Sequence, residues 1–132
     1  MKKVRIIIII LLCLIFVSLN NYSTPIHIMK EIEKTMTIEN IEEELIQQGI
    51  NHVDIVLNQV KLETGHLKFV KNNNLFGFHN GKSYLKFDTW QDAVIYKKQW
   101  QDRKYKGGDY YKFLKNVGYA KDSNYINKLK QM

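Results

Sequence analysis

One glutamate in this chain stands where a general acid would stand. Glu63 closes the run Gln59-Val60-Lys61-Leu62-Glu63-Thr64-Gly65-His66, and Asn72-Asn73-Asn74-Leu75-Phe76-Gly77 follows it. Val53, Val56, Leu57 and Val60 recur at i, i+3, i+4 and i+7, which predicts one buried helical face; Glu63, three residues after Val60, falls on the same stripe. A carboxyl desolvated in this way has its charged form disfavoured, stays protonated closer to neutral pH and can donate a proton. Its place in the last helical turn acts in the same direction, because the negative end of the helix dipole opposes a carboxylate. Cleavage of a glycosidic bond needs such an acid.

Other chemistries find less support. His52, His66 and His79 lack metal-ligand spacing, and a helix-ending glycine stands between Glu63 and His66, so no metal and no cofactor are expected. No serine occupies a Gly-x-Ser-x-Gly elbow, and the single cysteine, Cys13, lies in an N-terminal apolar run, which leaves neither a nucleophilic triad nor a disulfide framework.

The elements that must position Glu63 are legible in outline. Thr37 is expected to cap a helix with a stripe of Ile38, Ile41, Leu45 and Ile46, ended by Gly49; the segment from Pro25 to Met36 is also helix-compatible. Asn51 is expected to cap the helix that carries Glu63, with Asp54 approximating a capping box and Gly65 as terminator. Asn80-Gly81 between the extended pieces Leu75–His79 and Tyr84–Phe87 predicts a hairpin. Asp88 or Thr89 then caps a helix with Trp90, Ala93, Tyr96 and Trp100 on one face. After Lys106-Gly107-Gly108, Asp109 caps another with Tyr110, Phe113, Leu114 and Val117, stopped by Gly118, and a last helix starts near Asp122 or Ser123 with Ile126 and Leu129 inward. Five or six short helices and one small hairpin make an α+β domain, mainly α.

With 132 residues, one proline and no solenoid-length repeat, a single core is expected. Residues 1–22 read as a signal peptide or signal-anchor: Lys2, Lys3 and Arg5 precede the 12-residue apolar run Ile6 to Val17, shorter than the roughly 17–25 residues of a spanning helix. Residues 23–37 read as an N-terminal helical segment and 38–132 as the main domain. An exported protein is expected, in the periplasm, cell envelope or outside the cell, with residues 4–19 the sole membrane contact if the leader is retained. Charge is uneven: residues 24–63 hold three Lys against eight Asp or Glu, residues 64–132 hold 14 Lys or Arg against five Asp, and fourteen of the sixteen aromatics lie beyond residue 68. Such a surface suits an anionic wall polymer or stacked sugar rings, and export sets nucleic acid aside.

Leu62-Glu63-Thr64-Gly65, Asn73-Asn74-Leu75-Phe76-Gly77, Thr89-Trp90-Gln91-Asp92 and Gly118-Tyr119-Ala120-Lys121-Asp122-Ser123-Asn124-Tyr125, in this order and spacing, resemble bacterial cell-wall N-acetylglucosaminidases of the autolysin and flagellar-muramidase type, in the lysozyme-like superfamily. The resemblance spans roughly residues 38–132. It implies a lysozyme-like helical fold with a small hairpin lobe, hydrolysis of the β-1,4 bond after N-acetylglucosamine in peptidoglycan, and Glu63 as general acid. It also implies that Tyr119 and Tyr125 reach the cleft. Asn73, Asn74, Phe76, Gly77, Asp88 and Trp90 are candidate substrate-binding positions, and a monomer is expected. Glycosidases usually pair two carboxylates, yet this chain has no Glu after Glu63. The expected route is therefore attack by the substrate's own 2-acetamido group, with a water held by Asp88 or by tyrosine hydroxyls as the other route. A lytic transglycosylase and a non-catalytic wall-binding protein with an inherited cleft are the alternative functions.

Overall fold

The structure is a computed structural model and describes residues 34–132. The expected leader, and residues 23–33 of the expected N-terminal helical segment, lie outside the described residues. Residues 34–37 are not helical, because Thr37 is extended (φ -127°, ψ 161°) to serve as an N-cap whose side chain accepts the Asn40 N–H. Five helices occur among the described residues: α1 Ile38–Gln47, α2 Val53–Thr64, α3 Trp90–Lys104, α4 Tyr110–Asn116 and α5 Tyr125–Lys130. None is long and apolar enough to cross a membrane.

The fold is mainly helical. α1 packs on α2 and α3, α2 packs on α5, and α4 on α5. Ile41 and Leu45 from α1, Val56 and Val60 from α2, Ala93 and Val94 from α3, Leu114 from α4 and Leu129 from α5 form the centre of the core with Leu75 and Phe76. Ile46, expected on the inner stripe, is 61 % exposed. It follows Leu45 by one residue and so points about 100° away from it. On α3 the inward residues are Trp90, Ala93, Val94, Lys97 and Gln101, with Tyr96 and Trp100 half-buried.

Asn51 does not cap α2. His52 occupies the N-cap in the left-handed region (φ 57°) without a side-chain cap bond. Asn51 turns to α3 instead: its backbone and side-chain N–H groups donate to Gln101 Oε1 (2.7 and 3.2 Å), and its carbonyl accepts from Gln101 Nε2 (3.0 Å). Gln101 is wholly buried, so leaving its amide unpaired would cost more than the lost cap.

The expected hairpin reduces to a single antiparallel bridge, His79 with Tyr84. Asn80 explains why a two-residue turn does not form. Its side-chain oxygen accepts from both Lys82 N and Ser83 N (2.9 Å each) and its own N–H donates to Ser83 O, which closes a four-residue loop on the asparagine rather than on a strand ladder. Two backbone bonds extend the pairing, Leu85 N–H to Phe78 O and Phe87 N–H to Asn72 O. Thr89 caps α3 with a complete capping box to Asp92, so the cap falls to Thr89 and not Asp88. Asp109 caps α4 as expected; Val117, expected inside, is its C-cap and 39 % exposed. α5 starts at Tyr125, later than Asp122 or Ser123, because Asp122 is engaged in accepting Asn124 N–H (2.8 Å) and pairing with Lys128 (2.6 Å).

Candidate active site

Three pieces of chain converge on Glu63. α2 ends one residue later, and Gly65 turns the backbone in the left-handed region (φ 57°) with its N–H donating to Lys61 O. The loop through Phe76 and Gly77 passes over the carboxyl, and the segment from Tyr119 to Lys121 leads into α5 from the other side. Between them lies an open groove of about 380 Å³, lined by Glu63, Phe76, Gly77, His79, Tyr84, Tyr119, Ala120 and Lys121. Glu63 is the one carboxylate among these lining residues.

Glu63 is exposed along this groove rather than buried in the apolar stripe. Three residues past Val60 the helix has advanced about 300°, so Glu63 stands about 60° round from the core-facing line, on the open side. Water reaches the side chain through the groove, yet the carboxyl is crowded by protein on its other sides. The crowding governs protonation: desolvation raises the Glu63 pKa above the ordinary carboxylate value, against a hydrogen bond from Tyr125 and the charge of Lys97, which both lower it.

Gly77 makes the crowding possible. Its φ of 65° lies in the left-handed region, and a Cβ built there would stand 2.8 Å from Glu63 Oε2, so only a glycine lets the loop pass this close.

A hydrogen-bonded relay runs from the groove into the core. Tyr125 Oη lies beside the Glu63 carboxyl and, as a hydrogen-bond donor to it, favours the charged form. It accepts from Gln59 Nε2 (3.2 Å), and Gln59 Oε1 accepts from Lys97 Nζ (3.1 Å). Gln59 and Lys97 are both wholly buried. Burial lowers the Lys97 pKa from 10.5 to about 7, opposed by the Glu63 charge. Tyr125 and Tyr119 are both raised, first by burial and then by neighbouring charges that include Glu63.

The sequence-derived candidates separate into two groups. Glu63, Tyr119, Phe76 and Gly77 line the groove, and Tyr125 touches the Glu63 carboxyl. The Tyr119 hydroxyl donates to Phe76 O (2.9 Å), so its proton is committed to holding the loop. Asn73, Asn74, Asp88 and Trp90, expected at the sugar, are not among the residues that line this groove. Asn74 is buried; its amide donates to Phe78 O (2.8 Å) and Leu85 O (3.1 Å), and its oxygen accepts Phe78 N–H (3.0 Å). Asn73 donates to Phe87 O and Asp88 O (3.2 and 2.9 Å) at a positive φ of 53° that asparagine tolerates. Trp90 is core at 5 % exposure.

Sequence reasoning missed Gln59, Lys97, His79, Tyr84 and Lys121. Two signals were there to use. Gln59 precedes Glu63 by four residues and Lys97 follows Ala93 by four, so each shares a helix face already assigned to the interior. His79 and Tyr84 bracket the Asn80-Gly81 turn and face each other with ring centroids 5.1 Å apart. Among the described residues, no three His, Cys, Asp or Glu side chains come together as a metal site.

The arrangement offers a carboxyl whose pKa is raised by desolvation, at the wall of an open groove, backed by a phenol, an amide and an amine. Residues 38–132 match the family model Glucosaminidase, described as mannosyl-glycoprotein endo-beta-N-acetylglucosaminidase. No curated protein matches the chain.

Proposed function

The chain belongs to the glucosaminidase family of glycoside hydrolases, and on that premise we propose that it cleaves the β-1,4 bond after N-acetylglucosamine in peptidoglycan, with Glu63 as general acid. The observation that carries this reading is the Glu63 carboxyl itself, lining an open groove with its pKa raised by desolvation. Glu63 donates its proton to the leaving glycosidic oxygen, and the substrate's 2-acetamido oxygen closes on the anomeric carbon as that bond breaks. Water then opens the cyclic intermediate and returns a proton to Glu63. Substrate assistance fits a groove in which Glu63 has no second carboxylate among its lining neighbours. The Tyr125 hydroxyl orients the carboxyl and stabilises its charged form once the proton has left.

The basic start and the apolar run of the sequence support action outside the cytoplasmic membrane, where this polymer lies. The test compares wild type with Glu63→Gln, which keeps shape and removes the donor. Lysis of purified peptidoglycan is expected to fall by about 10²–10⁴-fold at unchanged melting temperature, and equal clearing by the two proteins would end the proposal. Mass spectrometry of wild-type fragments should show reducing N-acetylglucosamine ends; anhydro products would identify a transglycosylase instead. A raised acid pKa keeps the donor form populated to higher pH, so the basic limb of kcat/KM should lie above the range of an ordinary carboxylate.

A further inference from the structure

We propose that Lys97 is a positioning residue for Glu63: a buried ammonium, caged by aromatic rings behind the groove, against which the Glu63 carboxylate forms as its proton leaves. The inference rests on the reading of Glu63 as general acid. It begins from a misfit. Lys97 lies on the inner face of α3 with no exposed surface, a place where a methionine or leucine would fill the same volume without removing a charge from water. Its Nζ sits over four rings, 4.5 Å from the Tyr119 centroid, 4.6 Å from Trp100, 5.3 Å from Phe76 and 5.8 Å from Phe78. Ring faces favour the cation. They do not supply the counter-charge a buried ammonium needs.

Glu63 supplies that counter-charge once its carboxyl is ionised. The titratable groups facing Lys97 are Glu63 from α2, Tyr119 from the segment after α4, and Tyr125 from α5 through Gln59, and Glu63 is the one whose charge acts on Lys97. The route through Gln59 and Tyr125 fixes the geometry of the pair without direct contact.

During turnover the Glu63 O–H proton passes to the glycosidic oxygen, which keeps the electron pair of the broken C–O bond. The carboxylate left behind faces an ammonium that was in place beforehand, so the protein does not have to reorganise to receive the new charge. When water adds to the anomeric carbon, its proton returns to Glu63. Below about pH 7 Lys97 keeps its protons throughout, and it touches no substrate.

The test uses Lys97→Met in the full chain, with carboxyl ¹³C NMR titration of Glu63, the pH profile of kcat/KM, and thermal melts. Removing the cation should raise the Glu63 midpoint by about one pH unit and carry the basic limb of the profile up with it. At the optimum kcat should drop about tenfold or more. The melting temperature at pH 6 should hold or rise, since the desolvation cost of the ammonium is gone. That cost is carried wherever the folded chain must keep the amine charged, below about pH 7, and fades as pH climbs toward 10.5, so the two proteins should converge in alkali. An unmoved Glu63 midpoint in a folded Lys97→Met protein would overturn the proposal. Should that variant fail to fold, the wild-type titration decides: the Glu63 signal should show a second inflection near pH 7 as Lys97 ionises, and a single step would overturn it. The NMR readout needs no turnover, so an unmoved Glu63 midpoint overturns the role of Lys97 alone, whereas an inactive wild type with a normal Lys97 effect on that midpoint overturns the enzymatic reading on which the role rests.

Discussion

A methyl group on Gly77 would reach into the space held by Glu63 Oε2, at 2.8 Å, and would do so from a backbone with φ at 65°. The left-handed conformation alone costs an L-residue about 1–2 kcal/mol. Gly77→Ala is therefore expected to lose about 1–2 kcal/mol in denaturant melts and to lower kcat/KM about tenfold or more by moving the acid off its line. Unchanged kinetics would show that the close approach has no bearing on the reaction. Gly65 poses the same geometric demand for a different purpose: a Cβ there would stand 2.7 Å from Phe69, so this glycine lets the chain leave α2 just after Glu63. Gly65 was legible in the sequence as the end of a helix, and Gly77 was expected at the substrate. That Gly77 presses on the acid was not, because the contact joins positions 14 residues apart across a loop without regular structure.

Between α2 and α3 the chain makes its wall for the groove with scarcely any sheet. One buried asparagine replaces the missing ladder: Asn74 binds Phe78 twice and Leu85 once, stapling both arms of the 75–87 loop. Asn74→Ala leaves two carbonyls and one N–H without these partners, and a loss of about 2–4 kcal/mol is expected. Thermal melts with a change below about 0.5 kcal/mol would show that the loop is held by other means. Several element boundaries followed local chemistry, since Thr37 and Asp109 cap the helices they were expected to cap and Thr89 is one of the two residues expected to cap α3. Local reading failed at Asn51 and at the hairpin, where a side chain found a better bond elsewhere: Asn51 to Gln101 on α3, and Asn80 to the backbone of its own loop. Propensity is a weak prior, and a buried amide or a well-placed asparagine overrides it.

At the scale of the whole molecule the charge is divided. The acidic excess sits before residue 64 and the cationic excess after it, so the segments that follow Glu63 carry 14 Lys or Arg against five Asp, including Lys121 at the groove. Exposed lysines act over roughly a Debye length, about 8–10 Å at ordinary ionic strength and about 3 Å at 1 M. KM for an anionic wall glycan should therefore rise several-fold from about 0.1 to 1 M salt while kcat holds. A flat KM across the series would remove the lysines from substrate capture.

The sequence by itself determined the helices, the caps at Thr37 and Asp109, and the delivery of a glutamate to a helix end ahead of a glycine-bearing loop. All of these depend on neighbours within about four residues, where periodicity and capping rules operate. Only the tertiary structure decided what that glutamate feels. Gln59 meets Lys97 across 38 positions and Tyr125 across 66, and no periodicity along the chain encodes a pairing at such separations. The same packing turned Asn73 and Asn74 into staples and brought His79 and Tyr84 to the groove, because a buried polar group takes whichever partner the fold brings within reach.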